Sequence, residues 1–384
     1  MKEIYCDNSA TTPIYPAVIK EMEQYFTKIW GNPSSIYARG RIAKEALINA
    51  KERVAKILNC NPSEIYFTSG GSESDNLFIK GCFKENSAII TSPIEHPAIM
   101  NSCKAIHKLG AIQITLPVNK FGIIDMDGVK QIEQLIKKEN PIYASVMLVN
   151  NETGMIQPIK ELCNYLKSIV PNIIFHTDAV QAAGKMRLDV KELGVDALSL
   201  SGHKFGAPKG IGILYLKDGI KCSPLIDGGG QEQGLRSGTE NIPYIMGITK
   251  ALELTYFGFE NHLYKMEEFD TNFINALFDE FSDISINGSI FGRVAGVVNV
   301  CFKGINAQSL LLYLDNCNIY VSAGSACHSD SDVPSHVLKA IGLTNDDALS
   351  SLRFSFKDPL TPDDINYIIE SLKNGVKFLQ KYNV

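Results

Sequence analysis

Short apolar runs alternate with longer stretches of helical periodicity between about residues 40 and 250. This alternation is typical of parallel strands joined by crossover helices, so the sequence predicts an α/β layer. Helices are predicted over 40–59 and 158–170, where apolar residues recur at intervals of three and four. The first helix is expected to bury the face that carries Ile42, Leu47, Ala50, Val54, Ile57 and Leu58. The strand candidates are 64–68, 88–92, 143–149, 173–177, 196–201 and 211–216.

The pattern changes near residue 255. A long charged helix is predicted near 258–280, followed by short strands in VVNVCF and NIYVS and by helices to the end. We therefore predict a large domain over 15–255, with a mostly parallel central sheet flanked by helices. A smaller α+β domain is expected to combine residues 1–14 with 256–384 and to lie close to the large one.

Composition excludes several classes of protein. The 384 residues are 45% hydrophobic and 21% charged, with a formal net charge of −5 and no long run of one sign, so direct DNA binding is not expected. The start lacks a signal-peptide pattern and no stretch of about 18 apolar residues occurs, which favours a cytoplasmic protein without membrane attachment. Nine cysteines without a C-x-x-C pair favour neither a disulfide framework nor a metal site.

Polar residues follow five of the predicted strands. The segments GGSESDN, IEHPA, NNETG, DAVQ and GHK come directly after EIYFT, AIITS, YASVMLV, IIFHT and DALSLS. The ligand crevice of an open α/β sheet lies beyond the carboxyl ends of its strands. The five segments are therefore predicted to converge on one site, although polar loops are common in any protein.

Three of these positions suggest a cofactor. Gly71 and Ser72 can offer backbone N–H groups and a hydroxyl to a phosphate at a helix N-terminus, or they can simply form a turn. An ionised Asp178 after an apolar strand needs a cation or a protonated heterocycle beside it. Lys204, flanked by small residues, can act as a nucleophile for carbonyls if it is shielded from water, or it can be an ordinary surface lysine. Together they suggest pyridoxal 5'-phosphate, with Lys204 attached to it, Asp178 at the pyridine nitrogen and the Gly/Ser loop at the phosphate.

Nine segments, in order and spacing, resemble the cysteine desulfurases of the NifS/IscS type. They are YCDNSATTP, GNPSSIYARGR, FTSGGSESDN, EHPA, VNNETGMIQPI, HTDAVQAAGK, SLSGHKFGAPKGIG, GGGQEQGLRSGTEN and VSAGSACHSD. These enzymes form part of the class V aminotransferase group of fold-type I pyridoxal phosphate enzymes, and the resemblance runs from residue 5 to about 356. It implies a fold-type I large domain and a small domain that carries a catalytic cysteine loop.

The resemblance implies a role for each matching residue. The cofactor-binding residues are Lys204, Asp178, Gln181, His96, Gly71, Ser72, Ser201 and His203, with Gln181 at the ring hydroxyl and His96 over the ring as a proton shuttle. Thr239 is expected to reach the phosphate of the neighbouring subunit, which implies a homodimer. Asn151 and Arg353 are expected to bind the substrate carboxylate, and Asn32 is a further candidate for the site.

Cys327 is the expected sulfur carrier. Its segment, SAGSACHSDSDVPS, is too polar and too rich in small residues for a core, so a solvent-reachable, mobile loop is expected. The resemblance implies that the enzyme converts L-cysteine to L-alanine, with Lys204 and His96 moving protons and Cys327 receiving the sulfur as a persulfide. The persulfide is expected to pass to a protein acceptor such as an iron–sulfur cluster scaffold.

Some features leave alternatives open. Ser72 stands where the family commonly has threonine, and Lys357 where glycine is common. The segment after Cys327 is shorter than in members that dock a scaffold with a longer tail, which leaves the identity of the acceptor protein open. The alternatives are a selenocysteine lyase, another enzyme of the class V aminotransferase fold, and a non-catalytic sulfur-transfer platform. Retention of Lys204, Asp178, His96 and Cys327 together argues against the platform.

Overall fold

The computed structural model describes residues 3–85, 87–324 and 333–382. The helices in these residues are Pro16–Thr27 (α1), Ala38–Leu58 (α2), Gly71–Gly81 (α3), Pro97–His107 (α4), Met126–Gln131 (α5), Glu133–Glu139 (α6), Ile159–Ile169 (α7), Val190–Leu193 (α8), Ile242–Tyr256 (α9), Phe259–Glu280 (α10), Ala307–Asn316 (α11), His336–Ala340 (α12), Asn345–Leu349 (α13) and Pro362–Tyr382 (α14). The strands are Ile4–Tyr5 (β1), Ile65–Thr68 (β2), Ala88–Thr91 (β3), Ile112–Thr115 (β4), Tyr143–Ser145 (β5), Ile174–Asp178 (β6), Ala197–Ser201 (β7), Gly212–Leu216 (β8), Ile284–Ile286 (β9), Val297–Phe302 (β10), Ile319–Tyr320 (β11), Ser322–Ala323 (β12) and Ser351–Ser355 (β13).

The central sheet has seven strands in the order β2-β8-β7-β6-β5-β3-β4. Neighbours from β7 to β4 pair in parallel, whereas β8 pairs antiparallel with both β7 and β2. Six strands therefore point the same way and only β8 is reversed. The inner strands β3, β5 and β7 are buried along their whole length, as expected for strands covered on both faces. The predicted fold class, a mostly parallel sheet flanked by helices, is confirmed.

The structure corrects three details of the pattern analysis. The sheet has an edge strand, β4, that was not predicted because only Ile114 of its four residues is buried. Strand β5 ends at Ser145 rather than at 149, although the Val146 and Leu148 amides still donate to the carbonyls of the neighbouring β6 segment. Ile42 was expected on the buried face of α2, but it is 43% exposed and Ala43 is buried instead.

A second sheet lies in the C-terminal part of the chain. Strands β12, β13, β10 and β9 form it in that order, all antiparallel, and β1 pairs in parallel with β11. Its core contains apolar residues of α10, α11 and α14 together with Ile4 and Cys6. The first residues of the chain thus pack with the last hundred. The domain bounds at 14 and 255 stay a prediction.

In the parts of the chain that the structure describes, each helix is either too short or too polar to cross a bilayer.

Candidate functional site

A cavity of about 620 Å³ lies where β2, β6 and β7 end. This volume is in the range of sites that hold a cofactor or a small substrate. Ten residues that the sequence singled out line this cavity: Gly71, Ser72, His96, Asn151, Asp178, Gln181, Ser201, His203, Lys204 and Arg353. The polar segments after the strands therefore do meet at one place.

The amine of Lys204 is held by the N-terminal segment. Lys204 ends a 3₁₀ turn, Gly202–Lys204, directly after β7, and its Nζ donates hydrogen bonds to the carbonyl oxygens of Ser9 (2.7 Å) and Ala10 (2.8 Å). The turn itself is tied to the same segment, because Thr12 donates to the His203 carbonyl through both its amide and its hydroxyl. Residues 9–12 consequently fix the position of the amine at the cavity wall.

The carboxyl group of Asp178 lies at the end of β6 and is 5% exposed. Burial raises its pKa to about 6, while the Val180 amide, which donates to Oδ1 at 2.9 Å, and the positive charge of Lys204 act in the opposite direction. The group is therefore mostly ionised at neutral pH. A buried carboxylate of this kind suits a cationic or protonated ligand group.

A second acid, Asp75, lies behind Asp178. It is 1% exposed on α3, lines the cavity, and its Oδ1 has no hydrogen-bond partner. Burial and repulsion from Asp178 hold the pKa of Asp75 well above its usual range, which disfavours ionisation of both acids together. The imidazole of His176 lies 3.8 Å from Asp75 Oδ1 and hydrogen-bonds the hydroxyls of Ser145 and Ser199.

His96 is neutral and its tautomer is defined. Burial, together with repulsion from Lys204 and His336, lowers the pKa of His96 to about 4. Its Nδ1 accepts a hydrogen bond from the Ala98 amide at 3.1 Å and thereby caps α4. Because a neutral imidazole has one N–H, the proton lies on Nε2. His96 can therefore donate one proton or hydrogen bond into the cavity.

One corner of the cavity can hold an anion. Helix α3 begins at Gly71, where its first backbone amides and the Ser72 side chain face the cavity beside Ser201. A Cβ atom on Gly71 would lie 2.7 Å from Val180 Cγ2, so the backbone approaches that side chain closely. Unpaired amides at a helix N-terminus attract phosphate and other anions.

The buried guanidinium of Arg353 also lines the cavity. Arg353 on β13 is 2% exposed; its Nη1 donates to the Asn151 carbonyl at 2.9 Å and its Nη2 to Asp7 Oδ1 at 2.6 Å. Both Arg353 Nε and Asn151 Oδ1 are buried without a hydrogen-bond partner. Unpaired donors and acceptors of this kind suit the carboxylate and amino groups of a small substrate.

Two predicted site residues that the structure describes, Thr239 and Asn32, are not part of this lining. Thr239 is exposed and lines a neighbouring cavity with Arg236 and Glu240. Asn32 is exposed before α2, where its Oδ1 accepts from the Ser34 amide. Cys327 lies outside the described residues. The roles assigned to these residues stay predictions.

Sequence reasoning missed the residues that hold the predicted ones in place. Asp7 and Ser9 lie in the motif YCDNSATTP, and Asp75 lies in FTSGGSESDN, yet neither motif indicates which side chain contacts the site. The contacts are made across the chain, for example between Ser9 and Lys204, so no local pattern reveals them. A polar motif before the first helix was the only available signal.

Together these residues place an amine, an ionised acid, a neutral imidazole, a helix N-terminus that can hold an anion, and a guanidinium around one cavity. The amine can react with a carbonyl group, and the acid can stabilise a protonated heterocycle opposite it. The helix N-terminus and the guanidinium can hold a phosphate and a carboxylate at the same time. The arrangement therefore suits a phosphorylated, cationic heteroaromatic ligand together with an amino acid.

Comparison with known proteins agrees with this chemistry. Residues 4–368 match the family model described as aminotransferase class-V. A protein named cysteine desulfurase IscS from Clostridium botulinum is 43% identical over 98% of this chain and 95% of its own length. One of the same name from Methanosarcina thermophila is 43% identical over 99% and 93%.

Solved structures give the same result. A NifS-like protein superposes with a TM-score of 0.91 at 32% identity, covering 98% of this chain and all of that one. A structure described as SspA in complex with cysteine superposes with a TM-score of 0.81 at 34% identity, covering 94% of this chain and all of that one.

Proposed function

We propose, from the premise that the chain belongs to the class V aminotransferase family and to the cysteine desulfurases within it, that it transfers sulfur from L-cysteine to Cys327. The products are L-alanine and a persulfide on that cysteine. The observation that carries this proposal is the convergence of ten motif residues, including Lys204, Asp178 and Arg353, on one cavity. A nucleophilic amine, a buried acid and a buried guanidinium around one cavity are the groups expected of an active site.

The cavity fits pyridoxal 5'-phosphate. The buried, ionised Asp178 suits a protonated pyridine nitrogen, and the Lys204 amine lies on the same cavity wall to bond the aldehyde carbon. The amides at Gly71 and the hydroxyls of Ser72 and Ser201 suit the phosphate. The unpartnered oxygens of Asp75 and Asn151 show that the protein alone leaves polar atoms of this cavity unsatisfied. When bound, the cofactor supplies an electron sink for charge that develops on the substrate carbon.

The substrate is held by its carboxylate. The guanidinium of Arg353 is fixed by Asp7 and by the Asn151 carbonyl, and its buried Nε remains for an incoming oxygen. This fixed guanidinium suits a two-pronged grip on a carboxylate in the cavity that Lys204 also lines. Lys204 then takes the Cα proton of the substrate, and His96, which carries its proton on Nε2, can return one to the product.

The sulfur moves in one displacement. The thiolate of Cys327 attacks the sulfur of L-cysteine; an S–S bond forms and the Cβ–S bond breaks, with the electron pair left on the carbon fragment. Protonation of that fragment gives L-alanine, so L-cysteine and one thiol become L-alanine and one persulfide. The persulfide sulfur can then pass to a thiol of an acceptor protein, such as an iron–sulfur scaffold.

Six of the other cysteines are poor candidates for the carrier. Among the eight that the structure describes, Cys6, Cys82, Cys103, Cys163 and Cys301 are buried. Burial raises the pKa of Cys103 to about 12, of Cys163 to about 11 and, at a partly buried position, of Cys60 to about 12. Since the thiolate is the nucleophile, these thiols are unreactive near neutral pH. This supports Cys327 as the carrier.

The proposal includes a homodimer. Thr239 is exposed and outside the cavity of its own chain, as a residue that serves a second copy must be. Trp30, Ile36 and Tyr37 are 64%, 90% and 60% exposed in the segment between α1 and α2, and apolar surface of this kind favours association. Light scattering of the purified protein tests this: a monomer at micromolar concentration contradicts it.

The reaction is tested by incubating the holoenzyme with L-cysteine and a thiol reductant. Alanine and sulfide are expected in equal amounts over many turnovers. Cys327→Ala should release neither at more than about 1% of the parental rate, whereas the matched variant Cys60→Ala should keep full activity because its thiol is not ionised. Turnover by Cys327→Ala at the parental rate would exclude Cys327 as the carrier.

The same preparation separates the alternative functions. Protein that stays colourless after addition of pyridoxal 5'-phosphate would favour the non-catalytic platform. Release of selenide from L-selenocysteine without release of sulfide from L-cysteine would favour a selenocysteine lyase.

A further inference from the structure

A second cavity, of about 230 Å³, lies behind the catalytic amine. Lys204 lines both cavities, while Lys185 and Lys357 line only the second one. Lys185 follows β6 in the segment AAGK and is not part of the lining of the first cavity. Burial of its amino group, together with repulsion from Lys204 and Arg353, lowers the pKa of Lys185 to about 7.

The principal contact of Lys185 is with Gln181. The Lys185 Nζ donates a hydrogen bond to Gln181 Oε1 at 2.8 Å. On the other side of the same carboxamide, Nε2 donates to the Ser9 carbonyl at 2.9 Å, and this carbonyl also accepts from Lys204 Nζ at 2.7 Å. Lys185, Gln181, Ser9 and Lys204 thus form one continuous chain of hydrogen bonds that runs from the second cavity to the first.

The chemistry of the two side chains fixes the carboxamide. An amide has an acceptor end and a donor end that are nearly equal in shape, so its orientation depends on its neighbours. The protonated Lys185 amine offers donors and no acceptor, and the Ser9 carbonyl offers only an acceptor, so both neighbours place the oxygen of Gln181 towards Lys185. The NH2 group then faces Ser9 and the first cavity. One of its hydrogens is used by the Ser9 carbonyl and the second remains for a group in the cavity.

We propose that Lys185 is a positioning residue, which holds the carboxamide of Gln181 in the one orientation that presents an N–H donor to the cofactor. The inference rests on the proposed function, in which Gln181 faces an anionic ring oxygen of pyridoxal 5'-phosphate. Without Lys185, the Ser9 carbonyl alone opposes a turn of the Gln181 carboxamide, so its oxygen faces that anion more often. Lys185 therefore acts through Gln181 and touches neither cofactor nor substrate.

The test is a double-mutant cycle on cofactor affinity. The full-length chain, freed of cofactor, is dialysed to equilibrium against pyridoxal 5'-phosphate, and the dissociation constant is measured for the parent, Lys185→Met, Gln181→Leu and the double variant. We expect each single variant to bind about tenfold more weakly, which corresponds to about 1.4 kcal/mol. In the Gln181→Leu background, Lys185→Met should change affinity by less than twofold, because no amide remains to be oriented.

Two further variants separate positioning from packing and charge. Lys185→Arg keeps a donor and should restore affinity to within threefold of the parent. Lys357→Met removes a second amine from the same cavity without touching Gln181, since Lys357 Nζ lies over the Tyr15 ring at 3.5 Å, and it should leave affinity unchanged. Equal losses for Lys185→Met in both Gln181 backgrounds, or no loss in either, would overturn the inference.

Failure of the inference can be distinguished from failure of the proposed function. A parent chain that binds pyridoxal 5'-phosphate and desulfurates L-cysteine, but whose cycle shows no coupling, overturns only the role of Lys185. A parent chain that does not bind the cofactor overturns both. Thermal unfolding of each cofactor-free variant shows whether Lys185→Met has lost its fold. If it has, Lys185→Arg replaces it in the cycle, alone and with Gln181→Leu. An affinity of Lys185→Arg near that of the parent then supports the inference, and a tenfold loss contradicts it.

Discussion

The ion pair between Asp7 and Arg353 should be among the most important single contacts for stability. Its side chains are 16% and 2% exposed, and Nη2 and Oδ1 are 2.6 Å apart. Removing one partner of such a pair leaves a buried charge without compensation, at a cost of about 3–5 kcal/mol. Because Asp7 is partly open to water, we expect Asp7→Ala to lower the free energy of unfolding by about 3 kcal/mol, the lower end of this range.

Two comparisons within the chain calibrate this figure. Asp7→Asn keeps an acceptor oxygen for Arg353 but no charge, so we expect it to cost about half as much as Asp7→Ala. Glu192→Ala removes an exposed pair, in which Lys160 and Glu192 are 61% and 68% exposed and 3.4 Å apart. Such pairs contribute about 0–1 kcal/mol, so the change should stay within about 0.5 kcal/mol.

Urea unfolding of the cofactor-free parent and of the three variants, followed by circular dichroism, measures each change in the free energy of unfolding. The comparison holds where the dependence of this free energy on urea concentration is the same for all of them. The measurement is repeated at high salt, which screens the exposed pair but has little access to the buried one. A loss below about 1 kcal/mol for Asp7→Ala, or a loss equal to that of Glu192→Ala, would refute the assignment of Asp7–Arg353 as a buried pair that holds the N-terminal segment to β13.

Three further predictions follow, two for the site and one for Glu95, the fully buried acid that precedes His96. Arg353→Lys keeps the charge but not the planar fork, so KM for L-cysteine should rise about tenfold while kcat changes less than threefold, in steady-state assays. Burial raises the pKa of Glu95 to about 8, so the folded state keeps a proton that the unfolded chain loses near pH 4.5. The free energy of unfolding of the parent should therefore fall as pH rises from 4.5 to 8. Glu95→Gln has no such proton, so in urea unfolding its free energy of unfolding should rise by about 3–4 kcal/mol relative to the parent's between pH 5 and 8. Gly71→Ala should weaken binding of pyridoxal 5'-phosphate about tenfold by pushing on Val180, and Val180→Ala should restore it if the 2.7 Å approach is the cause.

The fold was predictable because its signals are local. Each inner strand is an apolar run that ends in polar residues, and strands such as β6 and β7 deliver Asp178 and Ser201 to the same edge. The edge strand β4 lacks that signal, because three of its four residues are exposed to solvent. Residues whose place is set by the strand to which they belong could therefore be assigned from the sequence.

Residues whose place is set by distant contacts could not. Asp7 lies 346 positions from Arg353, and Ser9 lies 195 positions from Lys204, so neither hydrogen bond leaves a trace in the local pattern. Lys185 is a similar case, because its significance depends on the carboxamide of Gln181 and on the wall between two cavities. The sequence predicts which residues lie at the ends of strands, but it does not predict the contacts that hold their side chains in position.

The N-terminal segment links the two halves of the proposed reaction. Asp7 fixes the guanidinium that is expected to bind the substrate carboxylate, and Ser9, two residues later, offers its carbonyl to the amine of Lys204. The segment is tied to β13 as well, since the amides of Asn8 and Ser9 donate to the carbonyl and the hydroxyl of Ser355. A displacement of β13 relative to the central sheet would therefore move the substrate anchor and the catalytic amine together. For this reason the position of the guanidinium relative to the amine depends on the short turn at residues 7–10.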